Sequence, residues 1–409
     1  MGDPPPETWN RVQRYASWMQ DVRVGEGVVI AEDTVRQFRL NSPAGGWFPA
    51  LRILEWVISE NNLPYVDLLF SPLLERAYID APRLWNLSGF PRVILPTIAS
   101  TISALPVSAL RILCTGNPLG ASIYIMSAWA HLKDSFSSVV LRCGPSLTHL
   151  SSVIPLSDAA VDHVIRLPHL RAWEIVGPPP SRSTPPTLMV FPPLRRLGLR
   201  GASAGGWLSL FQRLVDRVSV TPSVEPLYMV KESLTVLNAE FRPTATVIDV
   251  PLTSPIRMFR NLVDLNIRTS CHKGRCNSKL KNDEVAELAM ALPRLQRLCL
   301  GFPCEENIRA TTAACLLPIS VHCLRLGVLS IHFNTTNIID DLKNIPADPQ
   351  FRELFSLPKC RLSRLDVRDA PLTLDESDFE TVADGMKGIF PDLTGFDAPG
   401  VWYELSEKL

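Results

Sequence analysis

Apolar residues recur along this chain in one frame, Leu-x-x-Leu-x-Leu or a near variant, with polar and proline-rich stretches between the copies. The frame reads Leu51-Arg-Ile-Leu54-Glu-Trp56 and, more loosely, Leu74-Glu-Arg-Ala77-Tyr-Ile79. It returns as Leu110-Arg-Ile-Leu113, Leu147-Thr-His-Leu150, Leu170-Arg-Ala-Trp173-Glu-Ile175 and Leu194-Arg-Arg-Leu197-Gly-Leu199. Later copies begin at Leu234, Leu262, Leu295, Leu326, Leu362 and Leu393, and Met19-x-x-Val22-x-Val24 reads as a degraded one. Successive starts from Leu51 lie 23 to 40 residues apart.

Side chains of a strand alternate between two faces, so the last two apolar positions of each frame point into one core. A proline precedes many first leucines by one or two residues: Pro49, Pro72, Pro145, Pro168, Pro193, Pro293 and Pro391. Proline gives a ladder no donor but is tolerated where a strand begins. Helical signals fill the intervals. Ser157-Asp158 opens Ala159–Leu167, and Asn282-Asp283 opens Glu284–Leu292. Trp207–Val218 places Leu208, Phe211, Leu214 and Val218 on one face, and Asp378–Phe390 is similar.

A strand–turn–helix unit of this kind cannot bury its apolar face alone, and stacking the units solves that problem. The pattern therefore predicts an α/β fold, an irregular leucine-rich-repeat solenoid (a horseshoe) with an inner parallel sheet and outer helices. The expected organisation is an N-terminal segment over residues 1–40 and the solenoid over 41–409. Two long excursions interrupt it, the proline-rich Gly177–Pro193 and Asp340–Leu357.

Composition narrows the function. Forty-one basic residues balance 41 acidic ones, which argues against broad capture of nucleic acid or an anionic membrane. The start, Met-Gly-Asp-Pro-Pro-Pro, has neither the basic nor the apolar region of a signal peptide. The most apolar stretch, Leu95–Cys114, is broken by Pro96, Pro106 and Arg111 and reads as a helix followed by a strand. Nine cysteines without paired spacing fit reduced thiols, hence a cytoplasmic or nuclear protein.

Two constellations hint at chemistry. Gly201-Ala-Ser203-Ala-Gly205 follows a strand and precedes a helix, as a nucleophile elbow would, making a serine hydrolase using Ser203 the alternative from another class. A strand-to-helix turn in a repeat needs small residues for its own reasons, so the expectation is no catalytic residue. Cys271-His272-Lys-Gly-Arg-Cys276 resembles half of a zinc site, with Cys299, Cys304 and Cys315 near it in sequence. Buried cysteine behaves as a small hydrophobe, so no metal and no cofactor is expected.

Binding is the better prospect. Residues flanking the inward apolar positions face away from the core, onto the concave sheet. In the later repeats these are Asp264, Asn266, Arg268, Arg297, Ser330, His332, Arg364, Asp366 and Arg368, a mixed-charge patch for a protein target. In the first half, His149, Glu174, Arg196 and Arg200 hold similar positions.

The run Cys143-Gly-Pro-Ser-Leu-Thr-His-Leu150, with Pro155-Leu-Ser-Asp-Ala-Ala-Val161, Leu167-Pro-His-Leu170 and Gly177-Pro-Pro-Pro180, resembles the F-box/leucine-rich-repeat-like proteins of mushroom-forming fungi. Val250-Pro-Leu-Thr-Ser-Pro-Ile256, Glu287-Leu-Ala-Met-Ala-Leu292 and Ile331-His-Phe-Asn-Thr-Thr336 carry the same resemblance. The resemblance implies a substrate receptor of a cullin–RING ubiquitin ligase, with a Skp-family adaptor as a further partner. No F-box helical triplet precedes the first repeat, and Glu7–Val24 looks like the segment that would follow one. An F-box-independent repeat scaffold is the alternative within the same class.

Overall fold

The computed structural model describes residues 5–25, 28, 31–42, 46–57, 68–69, 71–80, 108–113, 133–134, 136–152, 154–176, 193–202, 210, 232–241, 253–269, 279–301, 310–367, 372, 374–397 and 401–409. The chain divides into two compact units, Met1–Pro193 and Leu194–Leu409. Both are α/β, and in both the described strands are parallel and pair in the order of the sequence.

The first unit carries β1 (Asp21–Val24), β2 (Ile53–Val57), β3 (Arg76–Asp80), β4 (Ala109–Leu113), β5 (His149–Ser152) and β6 (Ala172–Val176). Each pairs with the next. The register aligns Val22, Leu54, Ala77, Leu110, Leu150 and Trp173 across the sheet. Leu110 therefore holds the second apolar position of its repeat, and the frame starts three residues earlier than Leu110-x-x-Leu113 suggests. The reason is pairing: Ala77 and Leu150 on either side fix which residue turns inward.

Within segment 1–40, β1 pairs in parallel with β2. The helices Pro6–Ala16 and Glu32–Leu40 close over Trp47, which is 1% exposed. Trp9 and Phe38 pack on that indole with ring centroids 5.7 and 4.5 Å away. Its Nε1–H donates to the Phe38 carbonyl at 2.8 Å. Farther along, the Ser157 hydroxyl accepts from Ala160 N–H and caps the helix Asp158–Ile165, as the sequence predicts.

The second unit carries β7 (Arg196–Ala202), β8 (Val236–Phe241), β9 (Asp264–Thr269), β10 (Arg297–Leu300), β11 (Val328–Ile331), β12 (Arg364–Asp366) and β13 (Gly395–Phe396). Leu197, Leu237, Leu265, Leu298, Leu329, Leu365 and Phe396 align in one buried row. The first leucines of these frames, Leu194 to Leu393, are buried as well. Helices Asn282–Ala291, Leu316–His322 and Phe379–Ile389 turn buried apolar faces inward, and the middle one contacts both others. Burying apolar surface at roughly 25 cal/mol per Å² is what holds each unit together.

Two expectations change here, and two fall largely outside the described residues. Asp340–Leu357 is not an irregular excursion; it lies within the helices Ile338–Asn344 and Pro349–Phe355 and their surroundings, with Ile338 and Leu342 buried. Asn282 does not cap its helix. Glu284 Oε2 accepts from Lys281 N–H at 2.9 Å, while the Asn282 amide turns to Thr312, accepting from its N–H at 2.9 Å and donating to its hydroxyl at 3.1 Å. The Gly177–Pro193 passage lies, apart from Pro193, outside the described residues, and Trp207–Val218 does so apart from Leu210.

Candidate protein-interaction surface

Hydrogen bonds at the strand entrances tie neighbouring strands together. Backbone N–H groups of Arg171 and Ala172 share the Thr148 carbonyl, and those of Val263 and Asp264 share the Thr235 carbonyl. Hydroxyls reinforce the joints: Thr148 donates to Ser108 O at 2.8 Å, Thr235 to Arg195 O at 3.1 Å and Thr394 to Ser363 O at 3.1 Å. Sequence reasoning passed over these hydroxyls. Their signal was a Ser or Thr at the fixed site just before the strand.

Because the joints fix the register, the outward residues of the second unit fall into rows. The first row holds Arg196, Val236, Asp264, Arg297 and Val328, with Arg364 beside Val328. The middle row holds Gly198, Asn238, Asn266, Cys299, Ser330 and Asp366. A third holds Arg200, Glu240 and Arg268. The structure thus brings Asp264, Asn266, Arg268, Arg297, Ser330, Arg364 and Asp366 onto one face.

Two of the anticipated residues fall elsewhere. His332 is 5% exposed and buried, because β11 ends at Ile331 and the chain turns to bridge Asn334 with Thr312. Its backbone carbonyl accepts from the Thr311 hydroxyl at 3.5 Å. Arg368 lies outside the described residues.

Charge is layered on this face. Arg196, Arg200, Arg268 and Arg297 are exposed, whereas Glu240 and Asp264 are half-buried. Burial pushes the Asp264 carboxyl above its ordinary value, and the charges of Arg297, Arg196 and Arg268 oppose that rise without cancelling it. Its Oδ1 is buried and accepts no hydrogen bond among the described residues. Arg268 is steered by its neighbour, its Nε donating to Asn266 Oδ1 at 2.8 Å. Arg364 instead pairs with Asp397 at 3.1 Å.

The chain matches no protein-family model and no curated protein. The surface itself must therefore carry the functional argument.

The remaining candidate chemistry sits as follows. Ser203, with its elbow context, and Cys271, Cys276 and Cys304 lie outside the described residues. Cys299 stands in the middle outward row and Cys315 is wholly buried. Among the described residues no group of three His, Cys, Asp or Glu is placed to hold a metal ion. Among them, too, no helix is long and apolar enough to cross a membrane. In the first unit, His149 is exposed, and Glu174 accepts from the Ser151 hydroxyl at 3.2 Å.

Proposed function

We propose that the chain is a leucine-rich-repeat-type solenoid that binds another protein through the outward sheet face of its second unit. One observation carries this reading. From β7 to β12 the register stacks polar and charged side chains in rows, interspersed with Val236 and Val328, and Val328 is 45% exposed. Exposed arginine interleaved with apolar contact is the composition that protein interfaces favour. The rigid sheet beneath keeps the cost of ordering those side chains low. The reading needs no catalytic residue and no cofactor.

The resemblance to F-box/leucine-rich-repeat-like proteins supports a narrower version, a substrate receptor of a ubiquitin ligase. In that version the first unit or an adjoining segment meets a Skp-family adaptor, and the second unit meets the target.

The test has two arms. Replacing Arg297 and Arg364 together by alanine abolishes capture of the cellular partner while leaving the circular dichroism spectrum and melting temperature unchanged. Undiminished capture by that double variant rules the face out. Co-purification of the 409-residue chain with the Skp-family adaptor then decides the narrower version: stoichiometric adaptor supports a receptor, and its absence from folded protein leaves a scaffold.

A further inference from the structure

The kind of partner can be taken further, on the reading that this face binds protein. Several arginines elsewhere in the two units are answered within the chain. Arg23 meets Glu55 at 3.4 Å, Arg52 meets Glu75 at 2.6 Å, and Arg364 meets Asp397 at 3.1 Å. Arg196, Arg200, Arg268 and Arg297 have no carboxylate within 4.0 Å among the described residues. The two acids among them, Glu240 and Asp264, sit lower and half-buried, so the outermost layer is positive.

Geometry adds a direction. Arg196 on β7 and Arg297 on β10 are three strands apart, roughly 14 Å at about 4.8 Å per strand. Arg200 and Arg268 lie in a parallel row four residues farther along their strands, roughly 13 Å away. Between the two rows run the small residues Gly198, Asn238, Asn266 and Cys299. Gly198 and Cys299 are buried, and the asparagines offer both donors and acceptors.

We propose that this arginine-walled strip takes an extended acidic protein segment laid across the strands. Its carboxylates pair with Arg196 and Arg297 on one side and with Arg200 and Arg268 on the other, and its backbone lies against Asn238 and Asn266. Arginine's planar fork suits a carboxylate in two-point contact. Carboxylates about four residues apart in an extended chain, at about 3.4 Å per residue, match the roughly 14 Å between Arg196 and Arg297. A single-stranded nucleic acid fits less well, because it wants aromatic platforms for its bases and the three rows contain none.

The experiment is selection of a random 12-residue peptide library on the full chain, with a second selection on a chain carrying Arg196→Glu, Arg200→Glu, Arg268→Glu and Arg297→Glu. The expected result is peptides bearing two or more Asp or Glu about four residues apart. Their affinity should fall roughly tenfold or more on the substituted chain. An Arg→Gln set at the same positions, milder for folding, should give a smaller loss in the same direction. Neutral or basic peptides that nonetheless lose binding on Asn238→Arg would overturn the acidic segment and leave the protein-binding face standing. Peptides indifferent to every substitution on the face, or no enrichment on folded protein, would overturn the acidic segment together with that face. A single-stranded RNA probe that binds the wild-type chain and not the reversed one, with no acidic peptide selected, overturns it in favour of nucleic acid.

Discussion

Gly385 faces Leu342 so closely that a Cβ built on it would lie 2.9 Å from the leucine Cβ. The helices Phe379–Ile389 and Ile338–Asn344 meet there backbone to side chain, beside a cleft of about 260 Å³ lined also by Phe355 and Gly388. Gly388 is different: its added Cβ would meet only the Phe355 ring, nearest at its far end, Cζ, 3.2 Å away.

The two glycines therefore separate on substitution. Gly385→Ala should destabilise the chain by about 1–3 kcal/mol, the usual cost of overpacking. Gly388→Ala should fall within about 1 kcal/mol of wild type, because alanine's helix propensity gains about that much over glycine. Urea denaturation followed by far-ultraviolet circular dichroism measures both, and equal losses would refute the close packing at Gly385.

The hydroxyl joints between repeats make a second prediction. Thr148→Val keeps the shape but removes the donor to Ser108 O, and Thr235→Val does the same to Arg195 O. Each should cost about 0.5–1.5 kcal/mol. Amide exchange should show the loss first at the paired strand, β4 with β5 or β7 with β8. A uniform change across the chain would argue against a local joint.

Asp264 supplies the pH dependence. Its folded carboxyl is raised chiefly by burial, so the folded state holds its proton to a higher pH than the unfolded chain does. The stability from this group is thus fully present below the unfolded carboxyl pKa and lost as pH rises through the folded one. Asp264→Asn should then match wild type in acid and equal or exceed it at neutral pH. Removing a neighbouring positive charge, as in Arg297→Gln, should raise the Asp264 pKa further, which a carbon-detected NMR titration of the carboxyl would read. A fall in that pKa would show that the guanidinium does not act on this carboxylate.

Thiol chemistry makes the fourth. Burial pushes Cys143, Cys315 and Cys323 up to about 12 and Cys360 to about 11. The thiolate is the reactive form, so these four should resist alkylation in the folded protein at neutral pH. Peptide-resolved mass spectrometry after a short maleimide pulse should find them unmodified until denaturant is added. Rapid native labelling at Cys315 would contradict its complete burial.

What the sequence by itself determined is the periodic part of this protein. Leu194-Arg-Arg-Leu197-Gly-Leu199 and its relatives mark strands because alternation puts two apolar side chains on one face, and that is a local property. The outward positions Asp264, Asn266, Arg297 and Arg364 follow from the same alternation, and the Ser157 cap is equally local, a hydroxyl accepting from the N–H three residues on. Tertiary structure decided the rest, because it depends on what lies across from each residue. Pairing with Ala77 and Leu150 set the register at Leu110 against a plausible local frame. The bridge between Asn334 and Thr312 drew His332 inward, and helix packing ordered residues 338–355 where the sequence shows no clear period. The depth of Asp264 beneath the arginines was set by the strands on either side of it, which pair it with Val236 and Arg297, and no local pattern encodes contacts at that separation along the chain.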